Sequence, residues 1–450
     1  MAHIVCITTG LTGILYASLE LVKRLEAAGH RVSYASPASV GQKVQANDIT
    51  YHQLPAINYF PAPELPPFHG KTRKLKRWWY RLTHASQLKK QAIENLGMHN
   101  FQQTLEEWSA DLLLIDVELH EHLMTAIARK YKVVLLSQWF FLGKNQNLPP
   151  LVSNVIPGKS FEGSPLGIAV AWKRIHLQRW WIFNKKRIRS IGTNRRSVLK
   201  AYAQQIGFPM KWAKENYWPG PFTYNTLPII SMTFQELEFP YQKPSYMNYV
   251  GAMVLEDRND VNTDQQVRAR LNCLFEEKKQ KSATLIYCSV STFKAGDQSF
   301  LRKLVMAVSD RPDYILILGL GGLLEADFLP SLPFNVHVFS WIPQLEVLRE
   351  ADCSINHGGI HTINECIHFK VPMLVYSGKR SDQDGCAARI AYHGLGISAD
   401  KDMDSKEQIL QKIDQILSDS SYKEQMEKIH QNYEFYKDQK ILETLVEQAL

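Results

Sequence analysis

The feature that most limits how this chain can fold is a rhythm of short apolar runs separated by helix-period stretches, and it occurs twice. The first copy opens on HIVCITT (3–9) and passes a tight loop bounded by Gly10 and Gly13. It then enters a periodic helix carrying Leu15, Leu19, Leu21, Val22 and Leu25, closes at Gly29 and resumes as RVSYAS (31–36). That is a βαβ unit, and further strand-like runs follow at DLLLID (111–116), KVVLLS (132–137) and PIISMT (228–233). At FPYQKPSYMNYVG (239–251) two prolines break the periodicity, and a connector between domains is expected there. The rhythm restarts with TLIYCSVS (284–291), YILILGL (314–320), NVHVFSW (335–341), CSINHGG (353–359) and VPMLVYS (371–377). Strands alternating with helices predict parallel sheets covered on both faces. The expected class is therefore α/β, with two Rossmann-like doubly wound domains whose carboxyl-end crevices face one cleft. The boundaries read as 1–240 for the first domain, 241–262 for a linker, 263–420 for the second domain and 421–450 for helices crossing back.

At 450 residues the chain exceeds what one core serves, and 45% hydrophobic against 21% charged residues excludes a disordered chain. It begins on a strand pattern rather than a basic leader and has no run of 18 apolar residues, so it is expected to be neither secreted nor membrane-spanning and to work in the cytoplasm. Its six cysteines form no C-x-x-C pair, so neither zinc nor a disulfide framework is expected. The net charge of +8 is concentrated in residues 71–90 and 172–196, which interleave Lys and Arg with tryptophans and contain no acid. Two readings of these stretches stay open. They meet the headgroup layer of an anionic membrane, placing the protein peripherally at its inner face, or they are amphipathic helices whose tryptophans face the core. No nucleic-acid motif accompanies the charge, and nucleic acid is not an expected partner.

The most informative stretch is WIPQLEVLREADCSINHGGIHTINECIHFKVPMLVYSGKRSDQDGCAARIAYHGLG (341–396). It contains in order W-x-P-Q, H-x-G-x-x-[ST]-x-x-E, V-P and D-Q before a small-residue helix, and it resembles the donor-binding signature of the family 1 glycosyltransferases, which use UDP-sugars on the GT-B fold. Each position also has a physical rationale. A strand ending at Asn356, a His357-Gly358-Gly359 turn and a helix opening near Thr362 leave backbone N–H groups free for a diphosphate. By resemblance, His357 contacts that diphosphate beside Gly359 and His361, Thr362 supports it, and Glu365 accepts from the ribose hydroxyls. Trp341 offers uracil a ring face, Gln344 an amide near it, and Asp382 and Gln383 bind the hexose hydroxyls. Ser291 belongs to the phosphate loop. Three departures stand out: His361 and Cys386 where the family usually carries asparagine, and Val290 where glycine is customary. The segments 233–240 and 249–254 also resemble the family, and the likeness is weakest over 141–218. No cofactor or metal is expected, because the helix end and its donors meet the diphosphate charge. The D-x-D string at 402–404 precedes Ser405 and a helical pattern, and reads as loop and cap.

The family's N-terminal loop usually carries a histidine that takes the acceptor's proton, oriented by an aspartate further along. Here Ile14 falls at the histidine position, Ala17 where proline often stands, and Asp116 at the aspartate position. Isoleucine accepts no proton, which leaves three explanations. Asp116 acts directly or with His120 or His122; the acceptor arrives ionised, as an acidic phenol or carboxylate; or the protein binds its nucleotide sugar without transferring it. The bland reading of His120 and His122 is a solvated loop pair. The resemblance implies an inverting transfer of a hexose, expected to be glucose, from a UDP-sugar to a hydrophobic or lipid-like acceptor. The alternative is a non-catalytic nucleotide-sugar-binding homologue that serves a partner enzyme.

Overall fold

A computed structural model describes residues 1–259, 264–289, 297–322, 324, 329 and 332–450. The first sheet begins with β1 (His3–Ile7), β2 (Arg31–Ser36), β3 (Thr50–Gln53), β4 (Leu112–Asp116) and β5 (Val133–Ser137). After a small antiparallel hairpin of β6 (Ala213–Glu215) and β7 (Phe222–Tyr224), β8 (Ile229–Ser231) and β9 (Met247–Tyr249) complete it. Its order is β3-β2-β1-β4-β5-β8-β9, parallel throughout. The second sheet consists of β10 (Thr284–Ser289), β11 (Tyr314–Gly319), β12 (Val336–Phe339), β13 (Cys353–Asn356), β14 (Met373–Tyr376) and β15 (Gly396–Ala399), in the order β12-β11-β10-β13-β14-β15, again parallel. Every residue of β4, β5, β11, β13 and β14 is buried, as helices on both faces require of LLLID, VVLLS, YILILG, CSIN and MLVY.

Strand order reverses between β1 and β4 in one sheet and between β10 and β13 in the other. A doubly wound sheet opens its crevice at that point, so the loops leaving these four strands are placed to build a site. The chain's end ties the halves together. The helix Ser420–Asp438 packs on the helix Ile360–His368 of the second domain, and the last helix, Ile441–Ala449, returns to the helix Thr12–Ala27 of the first. Leu442 and Val446 are buried in the first domain's core, and Arg24 donates to both oxygens of Glu443 at 2.9 Å.

A second tie is buried. Arg389 lies between the rings of Phe140 and Phe239, 4.6 Å from each centroid, and donates from Nε (2.9 Å) and Nη2 to Glu238. It therefore holds the helix Gln383–Tyr392 of the second domain to the segment that follows β8.

The segment read as a linker, 241–262, is corrected in part. β9 lies inside it and pairs with β8, so the first sheet extends to Tyr249. Three residues that follow Pro240 and Pro244 carry no periodicity of their own, and only the ladder to β8 makes them a strand.

Candidate active site

Between the two crevices lies a cleft of about 590 Å³ walled by both domains. Trp341, Gln344, His357, Gly359, His361, Thr362, Glu365, Asp382 and Gln383 all line it, whereas Ser291 lies outside the described residues.

At its base, β13 ends in Asn356, whose Oδ1 accepts from the Gly358 N–H at 2.9 Å. Gly358 sits at φ +81°, and a Cβ there would come 3.0 Å from the Gln383 carbonyl and from Val375, so the turn is built for glycine. Gly359 then begins the helix Ile360–His368, whose first turn has neither a side-chain cap nor an acid. Its leading N–H groups can therefore face an anion. Burial pushes the His357 imidazole down to about 4, so it is neutral at pH 7, and its Nδ1 has no partner among the described residues. His361 is likewise lowered to about 4 by burial. It reaches across the cleft, its Nε2 lying 3.0 Å from Gln138 Oε1, and its ring lies so close to Gly13 that a Cβ there would sit 2.9 Å from Cδ2.

At the Trp341 end, Glu365 Oε1 accepts from Arg258 Nη1 at 2.6 Å and Oε2 from Gln344 Nε2. Tyr287 donates its hydroxyl to Gln344 Oε1 at 3.2 Å. Arg258 also lies 4.4 Å over the Tyr16 ring, and Lys43 Nζ stands 5.5 Å from the Trp341 ring centroid. Residues beyond the motif thus engage both the carboxylate and the indole. Arg258, from the interdomain segment, had no sequence signal. At the other end, burial raises the Asp382 carboxyl to about 6, and Gln383 Oε1 accepts from the Gly378 N–H at 3.0 Å.

On the first domain's side, Ile14, Leu11, Trp139, Trp218 and Pro219 form an apolar wall, with the two indoles edge-on at 4.7 Å. Asp116 is buried behind this wall. Its Oδ2 accepts from Thr9 N (3.3 Å) and Thr9 Oγ1 (3.1 Å), and its Oδ1 from Glu118 N (3.0 Å). Burial raises it to about 6 against those bonds.

His120 and His122 require correction on both readings. They lie on the helix His120–Ala128, neither solvated nor lining the cleft. His120 Nδ1 is 2.9 Å from the Tyr224 hydroxyl, and His122 packs edge-on against Phe101 at 4.6 Å. Burial pushes them down to about 3 and about 4. Near Asp116 the carboxyl that does reach the cleft is that of Glu118, two residues further along. Burial raises it to about 8, and the charges of Asp116 and Asp382 push the same way. Its signal in the sequence was only its place just after a strand end. Among the described residues no group of three or more His, Cys, Asp or Glu side chains could hold a metal. Asp402 pairs with Lys379 at 3.2 Å, and Asp404 accepts from Tyr376 at 2.8 Å and from Lys412.

A family profile described as "Erythromycin biosynthesis protein CIII-like, C-terminal domain" matches residues 314–442. The uncharacterized UDP-glucosyltransferase YdhE of Bacillus subtilis (strain 168) is 30% identical over 159 residues, which cover 35% of this chain and 40% of that protein. The oleandomycin glycosyltransferase of Streptomyces antibioticus is 24% identical over 406 residues, 88% of this chain and 78% of that one. The chain thus spans less than half the length of the first of these relatives. In fold, the solved glycotransferase of kitacinnamycin superposes on 100% of this chain and 99% of its own with a TM-score of 0.68 at 20% identity. The chain is thus similar in sequence to named glycosyltransferases, and its architecture is the GT-B fold.

Proposed function

We propose that the protein transfers a hexose from a UDP-sugar to a hydrophobic acceptor, and that Glu118 takes the acceptor's proton. The observation that carries this is that Glu118 lines the cleft together with Ile14, Trp139, Trp218, Asp382 and Gln383, close enough to Asp382 for its charge to be felt. The acceptor oxygen attacks the anomeric carbon as the bond from that carbon to the diphosphate breaks, inverting the centre. The proton passes to the Glu118 carboxylate and UDP departs. Charge developing on the diphosphate is met by the open N-terminus of the helix Ile360–His368 and by neutral His357, which can donate one hydrogen bond. The name of the Bacillus relative, a UDP-glucosyltransferase, supports UDP and glucose as the donor's parts. Ile14 in the histidine's place turns that corner of the site from proton acceptor into acceptor wall, which suits an apolar substrate.

A second reading, nucleotide-sugar binding without transfer in the service of a partner enzyme, draws on the same isoleucine and on Glu365 being occupied by Arg258 and Gln344. One experiment separates the readings: UDP release and product formation from UDP-glucose with alcohols, acidic phenols, carboxylates and lipid alcohols, for the wild type and Glu118→Gln. Transfer to alcohols that is lost in Glu118→Gln supports the base. Transfer only to acidic phenols or carboxylates, indifferent to Glu118, means that the acceptor arrives ionised. UDP binding with no release across the panel favours the second reading.

A further inference from the structure

Residues 71–90 and 172–196 hold 17 of the chain's 52 Lys and Arg and no acid, so the remaining 35 face all 44 Asp and Glu. The molecule is therefore acidic apart from one strongly basic region. In the fold the two segments come together, the helix Arg73–Thr83 lying beside the helix Pro165–Ser190, with Arg81 Nη1 donating to the Arg189 carbonyl at 3.0 Å.

Both helices carry an apolar stripe that no described residue covers. In the first, which buries no residue at all, Leu75, Trp78, Trp79 and Leu82 follow the i, i+3, i+4, i+7 spacing of a single helix face, and all four are exposed. In the second, Ile168 and Trp172 are buried against Tyr217. Leu166, Val170, Leu177, Trp181 and Ile188 lie within about 60° of arc at about 100° per residue, and all five are exposed. Trp79, Trp180 and Trp181 are 61%, 56% and 62% exposed, so the reading in which the tryptophans face the core holds for Trp172 alone. Among the described residues no helix is long and apolar enough to cross a membrane.

We propose that these two helices form a docking surface for an anionic lipid bilayer, lying in its plane with indoles and aliphatic side chains at the headgroup–acyl boundary and Lys and Arg among the phosphates. Large rings beside cations, with no acid interspersed, suit that interface, where apolar groups enter and charges remain at the surface. A second copy of the chain is disfavoured as the occupant because it would set two such basic faces against each other. A nucleic acid would leave both apolar stripes without a counterpart. Docking has a consequence for the cleft: the buried side of the second helix packs on Tyr217, whose neighbour Trp218 stands in the apolar wall. The acceptor side of the cleft is thereby set close to the bilayer, and delivery of a lipid-dissolved acceptor, unlike docking itself, rests on the transfer reading.

The test is sedimentation of the full chain with vesicles of phosphatidylcholine alone or with about a third phosphatidylglycerol, without donor or acceptor, at low and high salt. The expected result is binding to the anionic vesicles only, weakened by salt, with a blue shift of tryptophan fluorescence. Trp79→Ala with Trp181→Ala, and separately Lys185→Glu with Lys186→Glu, should each lower the vesicle partition coefficient on the order of tenfold while UDP binding is retained. Equal binding to neutral vesicles, no vesicle binding by a chain that still binds UDP, or self-association abolished by the tryptophan substitutions would overturn the proposal. An inactive chain that docks removes the transfer reading alone, and an active chain that does not dock removes this one alone.

Discussion

Two residues separate a carboxylate bonded on both oxygens from one that lines the cleft. Asp116 ends β4 with its oxygens bonded to Thr9 and the Glu118 backbone, while the Glu118 side chain passes into the cleft. Burial and the neighbouring charges of Asp116 and Asp382 hold its carboxyl near 8, and a base must be deprotonated to act. Accordingly, kcat/KM for an alcohol acceptor should rise about tenfold per pH unit on the acid side and level off near pH 8. Asp382→Asn removes one of those charges, so the rise should move to lower pH whatever it does to the plateau. Glu118→Gln should lower the plateau roughly 100- to 10,000-fold, measured by UDP release. At the Trp341 end of the cleft, Glu365→Ala should weaken UDP binding by about 1.5–3 kcal/mol by calorimetry. If the carboxylate reads the ribose, the same variant should also lose the wild type's preference for UDP over 2′-deoxy-UDP.

Among the elements, the helix Gln383–Tyr392 holds the two domains in register. At its N-terminus Asp382 and Gln383 face the cleft, and further along Arg389 is buried on Glu238 of the first domain. Removing one partner of such a pair leaves a buried charge alone, so Arg389→Ala should cost about 3–5 kcal/mol in urea unfolding. Replacing both, as Arg389→Met with Glu238→Gln, should restore part of that loss, since no unpaired charge would then be buried. The helix also approaches the first domain closely at Gly385, where a Cβ would fall 2.0 Å from the Leu151 carbonyl. A small residue was legible there as part of a motif, but its reason, backbone against backbone across the domain boundary, was not.

For the whole molecule, the chain's last helix makes the first domain depend on the final residues of the sequence. Leu442 and Val446 are fully buried in the core that also contains Ile14 and Leu114. Leu442→Ala should destabilise the protein by about 2–5 kcal/mol, and thermal unfolding followed by the first domain's tryptophans should register the loss. That tail was legible as helical from its period and polarity. Its return to the first domain follows from the apolar faces it must cover, including that of the helix Thr12–Ala27.

What could be read without coordinates is what local sequence carries. The apolar runs of β4, β5, β10, β11, β13 and β14 announce buried parallel strands because both faces of such strands must be apolar. The 341–396 stretch announces residues that meet in the cleft because one turn, one helix end and their neighbours supply most of them in order. The half-exposed edge strand β3 and the three-residue β9 escaped because each is a strand only through the neighbour it pairs with. His120 and His122 were misplaced for a related reason, since an imidazole after a strand end looks polar in sequence while its helix is packed into the core. Three things were left to the tertiary structure: which of Asp116 and Glu118 reaches the cleft, that Arg258 and Gln344 engage Glu365, and that the tryptophans of two distant segments face outward together. Each depends on contacts between residues far apart in the chain, whereas propensity, periodicity and motif are properties of residues close together in it.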